Sequence, residues 1–199
     1  MTRYLVLATI GYLFGAVPFG LLIGWLINRV DVRDHGSGST GMTNVLRSVG
    51  RPAAIVVLIL DMSKAVGAIL LARMVSDDPG LEVVTALAAI VGHIWPIFIG
   101  FRGGKGTASG WAALFVLSPF SGVVATVIGL SIVVFSRYVS LGSIFASALG
   151  SLTLIVLALV GEVPFVYMWY GGLGAPLIIT RHSSNIQRLF SGTERKFGR

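Results

Sequence analysis

Apolar positions in this chain fall in long runs, neither alternating as in a half-buried strand nor tracing a narrow helical stripe. The runs are Tyr4–Ile27, Ala53–Val75, Val83–Phe101, Ala108–Leu117, Gly122–Phe135, Leu141–Val160 and Val163–Thr180. A helix needs about 20 apolar residues to cross a bilayer. Ser118-Pro119, Ser136-Arg137 and Gly161-Glu162-Val163-Pro164 punctuate the later runs. The pattern predicts an all-α, polytopic integral membrane protein with seven transmembrane helices, the fourth short. A count of five remains open, with the last four runs forming two spans. No internal repeat is evident. Tyr4–Ile27 is too long for a signal-peptide core and precedes no small-residue cleavage site, so it is read as a span.

Composition agrees. Of 199 residues, 55% are hydrophobic and 12% charged, against about 25% charged in soluble domains. That excludes a water-facing globule and, equally, disorder. The spans leave no room for a separate soluble domain, so residues 1–199 read as one transmembrane domain. With no cysteine, disulfides, thiolate metal sites and a cysteine nucleophile are excluded. Three histidines and eight acids offer little for a metal cluster, and none is expected.

The net charge of +7 would point a soluble protein towards nucleic acid. Here its placement gives a topology instead. Arg29, Arg33, Arg47 and Arg51 lie between runs one and two, Arg102 and Lys105 between three and four, and Arg137 between five and six. Arg181, Arg188, Arg195, Lys196 and Arg199 follow the last run. In the intervening connections Ser76–Leu81 holds Asp77 and Asp78, Gly161–Pro164 holds Glu162, and neither holds Lys or Arg, while Ser118–Ser121 is uncharged. Basic connections face the cytoplasm, so the N-terminus is expected outside and the C-terminus inside. Arg137 favours seven helices over five.

Two charges lie deep within run two, Asp61 and Lys64. Each costs at least about 2.5 kcal/mol in hydrocarbon. Three residues apart on a helix, they share a face and can pair. They are either an ion pair that orients the helix or the polar lining of a site.

Three polar patches remain. The first runs from Asp34 to Arg47, with Gly36, Gly38 and Gly41 among Ser37, Ser39, Thr40 and Thr43 before Asn44 and Arg47. Glycine lets backbone approach a ligand, successive N–H groups make anion-binding concavities, and arginine grips phosphate with two parallel hydrogen bonds. The alternative is a flexible linker. The second contains His93 and then Gly103-Gly104-Lys105-Gly106 ahead of a helix start. The free N–H groups and positive dipole end there suit a phosphate, although the GxxxxGK[ST] spacing is absent. A plain basic turn is the alternative, and His93 is either structural or part of the site. In the third, His182, Asn185 and Arg188 recur every third residue before Glu194. If helical they share a face, pointing into a site or lying on anionic lipid. On the charge pattern all three patches face the cytoplasm, an arrangement that fits a phosphate-bearing polar substrate together with an acyl chain in the bilayer.

These motifs resemble the bacterial acyl-phosphate:glycerol-3-phosphate acyltransferases, the PlsY family, over nearly the whole chain. The first patch is similar to the family's GSGNxGATNxxR, the second to GHxxPxFxxFxGGKGxA and the third to HxxNIxRLxxGxE. The segment from Ser136 to Ser143 also resembles a family feature. Ser39 stands where the family has Asn, Met42 where it has Ala, and Arg102 where Lys is frequent. Met42 adds bulk beside the loop.

The resemblance implies acyl transfer from a long-chain acyl phosphate to the 1-hydroxyl of glycerol 3-phosphate. The products would be lysophosphatidic acid and phosphate, the first step of bacterial phospholipid synthesis. It implies no cofactor, no nucleic-acid partner, and a monomer in the lipid of the bacterial inner membrane with its site facing the cytoplasm. The HxxxxD pattern of other glycerolipid acyltransferases is absent, since Thr40, Phe98 and Gln187 lie five after the histidines. No GxSxG elbow occurs either. Direct attack is therefore expected, without an acyl-enzyme, a substrate phosphate oxygen taking the proton. Arg47 and Lys105 are expected to hold phosphate. Ser37, Gly38, Thr43 and Asn44 would bind substrate or leaving group, and Gly103, Gly104 and Gly106 would shape the loop. His182, Asn185 and Arg188 would contact or brace glycerol 3-phosphate, with Ser143 lining the site. His93, Glu194, Asp61 and Lys64 would stand behind them. The rival is a phosphate or organophosphate transporter, which needs polar groups near the midplane. A small assembly protein would need none of the three loops.

Overall fold

The computed structural model describes residues 1–198; Arg199, counted above among the basic tail residues, lies outside the described residues. Ten α-helices and three 3-10 turns follow one another, with no strand among the described residues. The chain divides into two compact units, one of residues Met1–Ala113 and one from Leu114 onward.

The first unit holds α1 (Thr2–Ala16), α2 (Phe19–Asn28), α3 (Met42–Ser48), α4 (Arg51–Val75), α5 (Pro79–Ile94) and the start of α6 (Thr107–Leu117). The first apolar run is interrupted. Val17 is extended, with ψ 116°, and Pro18 follows it. Proline has no N–H to donate and disfavours helix in the residue before it. Prolines open α4 and α5, where an N–H would be unpaired anyway. The Asp78 carboxylate caps α5 by accepting the Gly80 N–H at 2.9 Å.

Hydrophobic burial gives little drive between helices in lipid, so close backbone packing has to supply it. α1 meets α5 through glycines. A Cβ on Gly11 or Gly15 would collide with the carbonyls of Thr85 or Ala89, and one on Gly92 with that of Tyr12.

The second unit holds α7 (Pro119–Ser136), α8 (Val139–Leu159), α9 (Met168–Thr180) and α10 (Ser183–Phe190). The same device recurs. A Cβ on Gly142 would come 2.7 Å from the Gly129 carbonyl, and one on Gly171 2.8 Å from that of Ser151. Val127, Leu130, Val134 and Phe135 of α7 are exposed, a lipid-suited face.

Each of the seven apolar runs is largely helical, and five segments are long and apolar enough to cross a membrane: Thr2–Asn28, Arg51–Val75, Pro79–Ile99, Pro119–Ser136 and Val139–Leu159. The sequence pattern predicted one short helix. There are two, Thr107–Leu117 and Phe165–Thr180. The second is shortened because Pro164 ends the preceding turn and Phe165–Tyr167 winds as 3-10, leaving α9 13 residues. At 1.5 Å per residue α9 is about 20 Å long, against a hydrocarbon core of about 30 Å.

Candidate active site

The first patch is not a floppy linker. Asn44, buried on α3, ties it together. Its Nδ2 donates to the carbonyls of Val32 (2.6 Å) and Ser39 (2.8 Å), and its Oδ1 accepts the Ser37 N–H (2.9 Å). Gly36 and Gly38 take left-handed φ, 62° and 69°, to make the tight path. The side chains of Ser37 and Arg47 are exposed, and Thr43 is half-buried. Met42 opens α3 and Arg47 lies in its last turn, so a short helix of its own carries both Asn44 and Arg47.

The second patch leads into α6. Gly103 and Gly104 lie against the end of α5, their N–H groups donating to the carbonyls of Ile94 (3.3 Å) and His93 (3.0 Å). A Cβ on Gly104 would collide with His93 Nε2, and one on Gly103 with the His93 carbonyl. The glycine pair is thus required by packing, independently of any ligand. Gly106 has φ 83° and starts α6, its carbonyl accepting the Gly110 N–H at 2.8 Å. Lys105 between them is half-buried.

Beneath this loop lie the two charges of α4. Lys64 Nζ is 2.8 Å from Asp61 Oδ1, and both side chains are at most 5% exposed. Lys64 also donates to the Val17 carbonyl at 3.2 Å, at the break between α1 and α2. His93 Nδ1 lies 3.5 Å from the same Asp61 oxygen. Ser109 of α6 donates to the Asp61 carbonyl at 2.8 Å. The pair therefore joins α4, the α1–α2 break, α5 and α6.

A pair that the sequence pattern does not single out lies at the root of the first loop. Arg33 forks onto Asp31, Nη2 at 2.7 Å and Nε at 3.0 and 3.2 Å, and its Nη1 donates to the Ile99 carbonyl at 3.0 Å. Hydrogen bonds from Arg33 hold the Asp31 carboxyl below the usual carboxylate range, against a smaller opposing effect of burial. The only sequence signal was an acid two residues before an arginine.

In the second unit the third patch is helical. His182 precedes α10 and is buried, its Nδ1–H donating to the Ile178 carbonyl at 2.8 Å. A neutral ring in that tautomer presents Nε2 as the acceptor. Glu194 folds back under α10. Its Oε1 accepts from Ser140 Oγ and Asn185 Nδ2, both at 2.6 Å, and its Oε2 accepts from Arg188 Nε at 2.8 Å. Asn185 and Arg188 do share a face, turned towards Glu194. The tail continues to the turn before α8, where Phe197 N–H donates to the Arg137 carbonyl at 2.6 Å. Ser143, one turn into α8, is half-buried, and its carbonyl accepts from Ser147 at 2.8 Å.

Burial pushes the Glu194 carboxyl up, but the three donors from Ser140, Asn185 and Arg188 outweigh it and hold the group below the usual range. A lowered carboxylate stabilises the fold above its unfolded value and loses that contribution as pH falls through the folded one. Glu194→Gln is therefore expected to melt at a lower temperature than the unaltered protein at pH 7. The gap should close as pH drops below about 4.3, the ordinary glutamate value. Thermal unfolding in detergent at a series of pH values checks this.

Fold and loops define a polytopic α-helical membrane protein whose two ordered glycine-rich segments carry basic side chains, Arg47 exposed and Lys105 half-buried. A family model described as glycerol-3-phosphate acyltransferase matches residues 5–192. A glycerol-3-phosphate acyltransferase of Halalkalibacterium halodurans is 45% identical over 190 residues, covering 94% of this chain and 92% of its own. One from a Synechococcus strain is 42% identical, covering 98% and 94%. Crystal structures of PlsY (YgiH), an integral membrane glycerol 3-phosphate acyltransferase, superpose closely. The glycerol 3-phosphate form has a TM-score of 0.90 at 37% identity, covering 98% of this chain and 96% of that one. The lysophosphatidic acid form has a TM-score of 0.88 at 36% identity, covering 98% and 95%. The chain belongs to the glycerol-3-phosphate acyltransferase family, and within it to the PlsY family.

Proposed function

We propose that this protein transfers a fatty acyl group from a long-chain acyl phosphate to the 1-hydroxyl of glycerol 3-phosphate. Relatives that share nearly the full length carry that acceptor in their names. The observation that supports the donor is the second loop: half-buried Lys105 stands between Gly104 and Gly106 just ahead of α6, at the positive end of that helix's dipole. That is a place for a phosphate, and an acyl phosphate brings one attached to the acyl carbonyl.

The step needs no group the chain lacks. The glycerol 1-oxygen attacks the acyl carbonyl carbon, the carbonyl–phosphate bond breaks, and the proton passes to a phosphate oxygen. Lysophosphatidic acid and inorganic phosphate leave. Phosphate is a good leaving group, so the protein's contribution is positioning and charge stabilisation. No acyl-enzyme and no cofactor take part. Arg47 and Lys105 hold phosphate, Ser37 and Thr43 donate to substrate, and Gly38 lets it approach the backbone. Gly103, Gly104 and Gly106 shape the loop, while Asn44 fixes the first loop from within. His182, Asn185 and Arg188 serve glycerol 3-phosphate, with Ser143 beside them. Asp61, Lys64, His93 and Glu194 brace these groups.

The chain acts as one domain and a monomer in the bacterial inner membrane, crossing it seven times with the N-terminus outside and the site facing the cytoplasm. The alternation of basic and acidic connections supports that topology. The test mixes purified protein with palmitoyl phosphate and follows phosphate release, with palmitoyl-CoA as a parallel donor. Release that requires glycerol 3-phosphate, with the CoA ester unused, is expected. Turnover of the CoA ester instead would overturn the donor assignment. Uptake of glycerol 3-phosphate into sealed vesicles without acylation would replace the enzyme by a transporter.

A further inference from the structure

Two of the glycine-rich loops belong to the first unit but are far apart in sequence, and one side chain joins their roots. Arg33 lies in the 3-10 turn Val32–Asp34 that opens the first loop. Ile99 ends the 3-10 turn Ile97–Ile99 that opens the second. Arg33 Nη1 donates to the Ile99 carbonyl at 3.0 Å, while Nε and Nη2 fork onto Asp31. Asp31 Oδ1 also accepts the Arg33 backbone N–H at 2.8 Å, closing a ring that fixes the side chain's direction. The Arg33 side chain is 20% exposed and that of Asp31 29%, so the pair is sheltered rather than waving in solvent. After Ile99 the chain turns at once, Gly100 and Phe101 both taking positive φ, 66° and 61°. The direction in which Gly103, Gly104 and Lys105 leave therefore follows from where the Ile99 carbonyl is held.

We infer that Arg33, oriented by Asp31, is a positioning residue that sets the first glycine-rich loop in register with the second. The inference rests on the proposed acyl transfer, since the first loop leads into α3, which carries Arg47, and the second carries Lys105. The guanidinium touches no substrate in this scheme. It uses a planar fork for the carboxylate and a third N–H for the carbonyl, a combination lysine cannot reproduce. A misplacement of about 1 Å remote from the chemistry costs as much as 100-fold in rate, so loosening the tether should be read in turnover.

The test compares Arg33→Gln, Arg33→Lys and Asp31→Asn in the purified full chain. For both Arg33 variants kcat is expected to fall roughly 10- to 100-fold, with KM for glycerol 3-phosphate moving less than about threefold, since positioning rather than ground-state binding is lost. The melting temperature should stay near that of the unaltered protein. Asp31→Asn combined with Arg33→Gln should cost little more than Arg33→Gln alone, because the two act as a unit. A second readout does not depend on catalysis. The chain has no cysteine, so spin labels can be placed through His35→Cys and Phe98→Cys, both exposed positions. Their distance distribution by electron paramagnetic resonance should be narrow, and broad once Arg33→Gln is added. A kcat within twofold of the parent for Arg33→Gln, a kcat loss that tracks a fall in melting temperature, or an unchanged distance distribution would each overturn the inference. If the unaltered protein shows no acyl transfer, the functional reading fails instead, and the spin-label distances still judge the tether.

Discussion

Arg47→Ala is expected to yield a folded protein whose acyl transfer is reduced by about 100- to 1000-fold, the range for removing one preorganised donor from a developing charge. The fold should survive because α3 is anchored by its other face. Asn44 and Val45 are buried while the Arg47 side chain is exposed. The loop bonds of Asn44 to Val32, Ser39 and Ser37 do not involve it. Arg47→Lys keeps the charge but loses the two-pronged grip, so it should recover only part of the rate. Initial-rate kinetics on both variants, beside their thermal unfolding, separate a lost phosphate ligand from a lost fold. Full activity in Arg47→Ala would remove the residue from the site.

The largest effect on stability is expected at Lys64. Its ammonium is 2.8 Å from Asp61, and neither side chain sees more than a trace of solvent. Lys64→Met removes the positive partner and leaves the carboxylate buried within a span. His93 Nδ1 at 3.5 Å makes no hydrogen bond to it. Breaking a buried pair from one side costs about 3–5 kcal/mol, whereas exchanging both partners for apolar residues is often near neutral. The double variant Asp61→Leu with Lys64→Met is therefore expected to regain much of the stability lost in Lys64→Met. Because Lys64 also donates to the Val17 carbonyl, at the break between α1 and α2, regaining stability need not regain turnover. Thermal unfolding of the three variants in one detergent closes the cycle. An unchanged melting temperature in Lys64→Met would show that the ion pair contributes nothing to the fold.

Much of this was legible in the chain. Apolar runs are dictated by the bilayer, which tolerates little else, and every run proved largely helical. The Asp61–Lys64 pair followed from helical spacing alone, three residues being one neighbouring step on a helix face. Local breaks were less visible. Pro18 sat inside an unbroken apolar run, where hydropathy hides the missing N–H. Pro164 and the 3-10 turn after it shortened the last span in the same way.

Contacts between distant residues were not readable. Composition cannot say whether a glycine is small for a ligand or for its own chain; Gly104 is small because His93 Nε2 occupies the space a side chain would need. Asn44 looked like a donor for substrate, yet its amide is engaged three times within the loop. Nothing local announces that Arg33 reaches a carbonyl 66 residues away, or that Glu194 returns 54 residues to Ser140. Such pairings are fixed by tertiary packing, and one sequence carries no pairwise signal for them.

The central claim is direct transfer of the acyl group to glycerol 3-phosphate. Its most direct test supplies purified protein with palmitoyl phosphate and glycerol 3-phosphate bearing oxygen-18 at the 1-hydroxyl. Mass spectrometry then follows the products and the intact protein. Direct attack predicts lysophosphatidic acid that retains the label, unlabelled inorganic phosphate, and a protein mass that does not change when the acceptor is withheld. Absence of labelled lysophosphatidic acid, or a protein carrying a palmitoyl group before the acceptor is added, would contradict it.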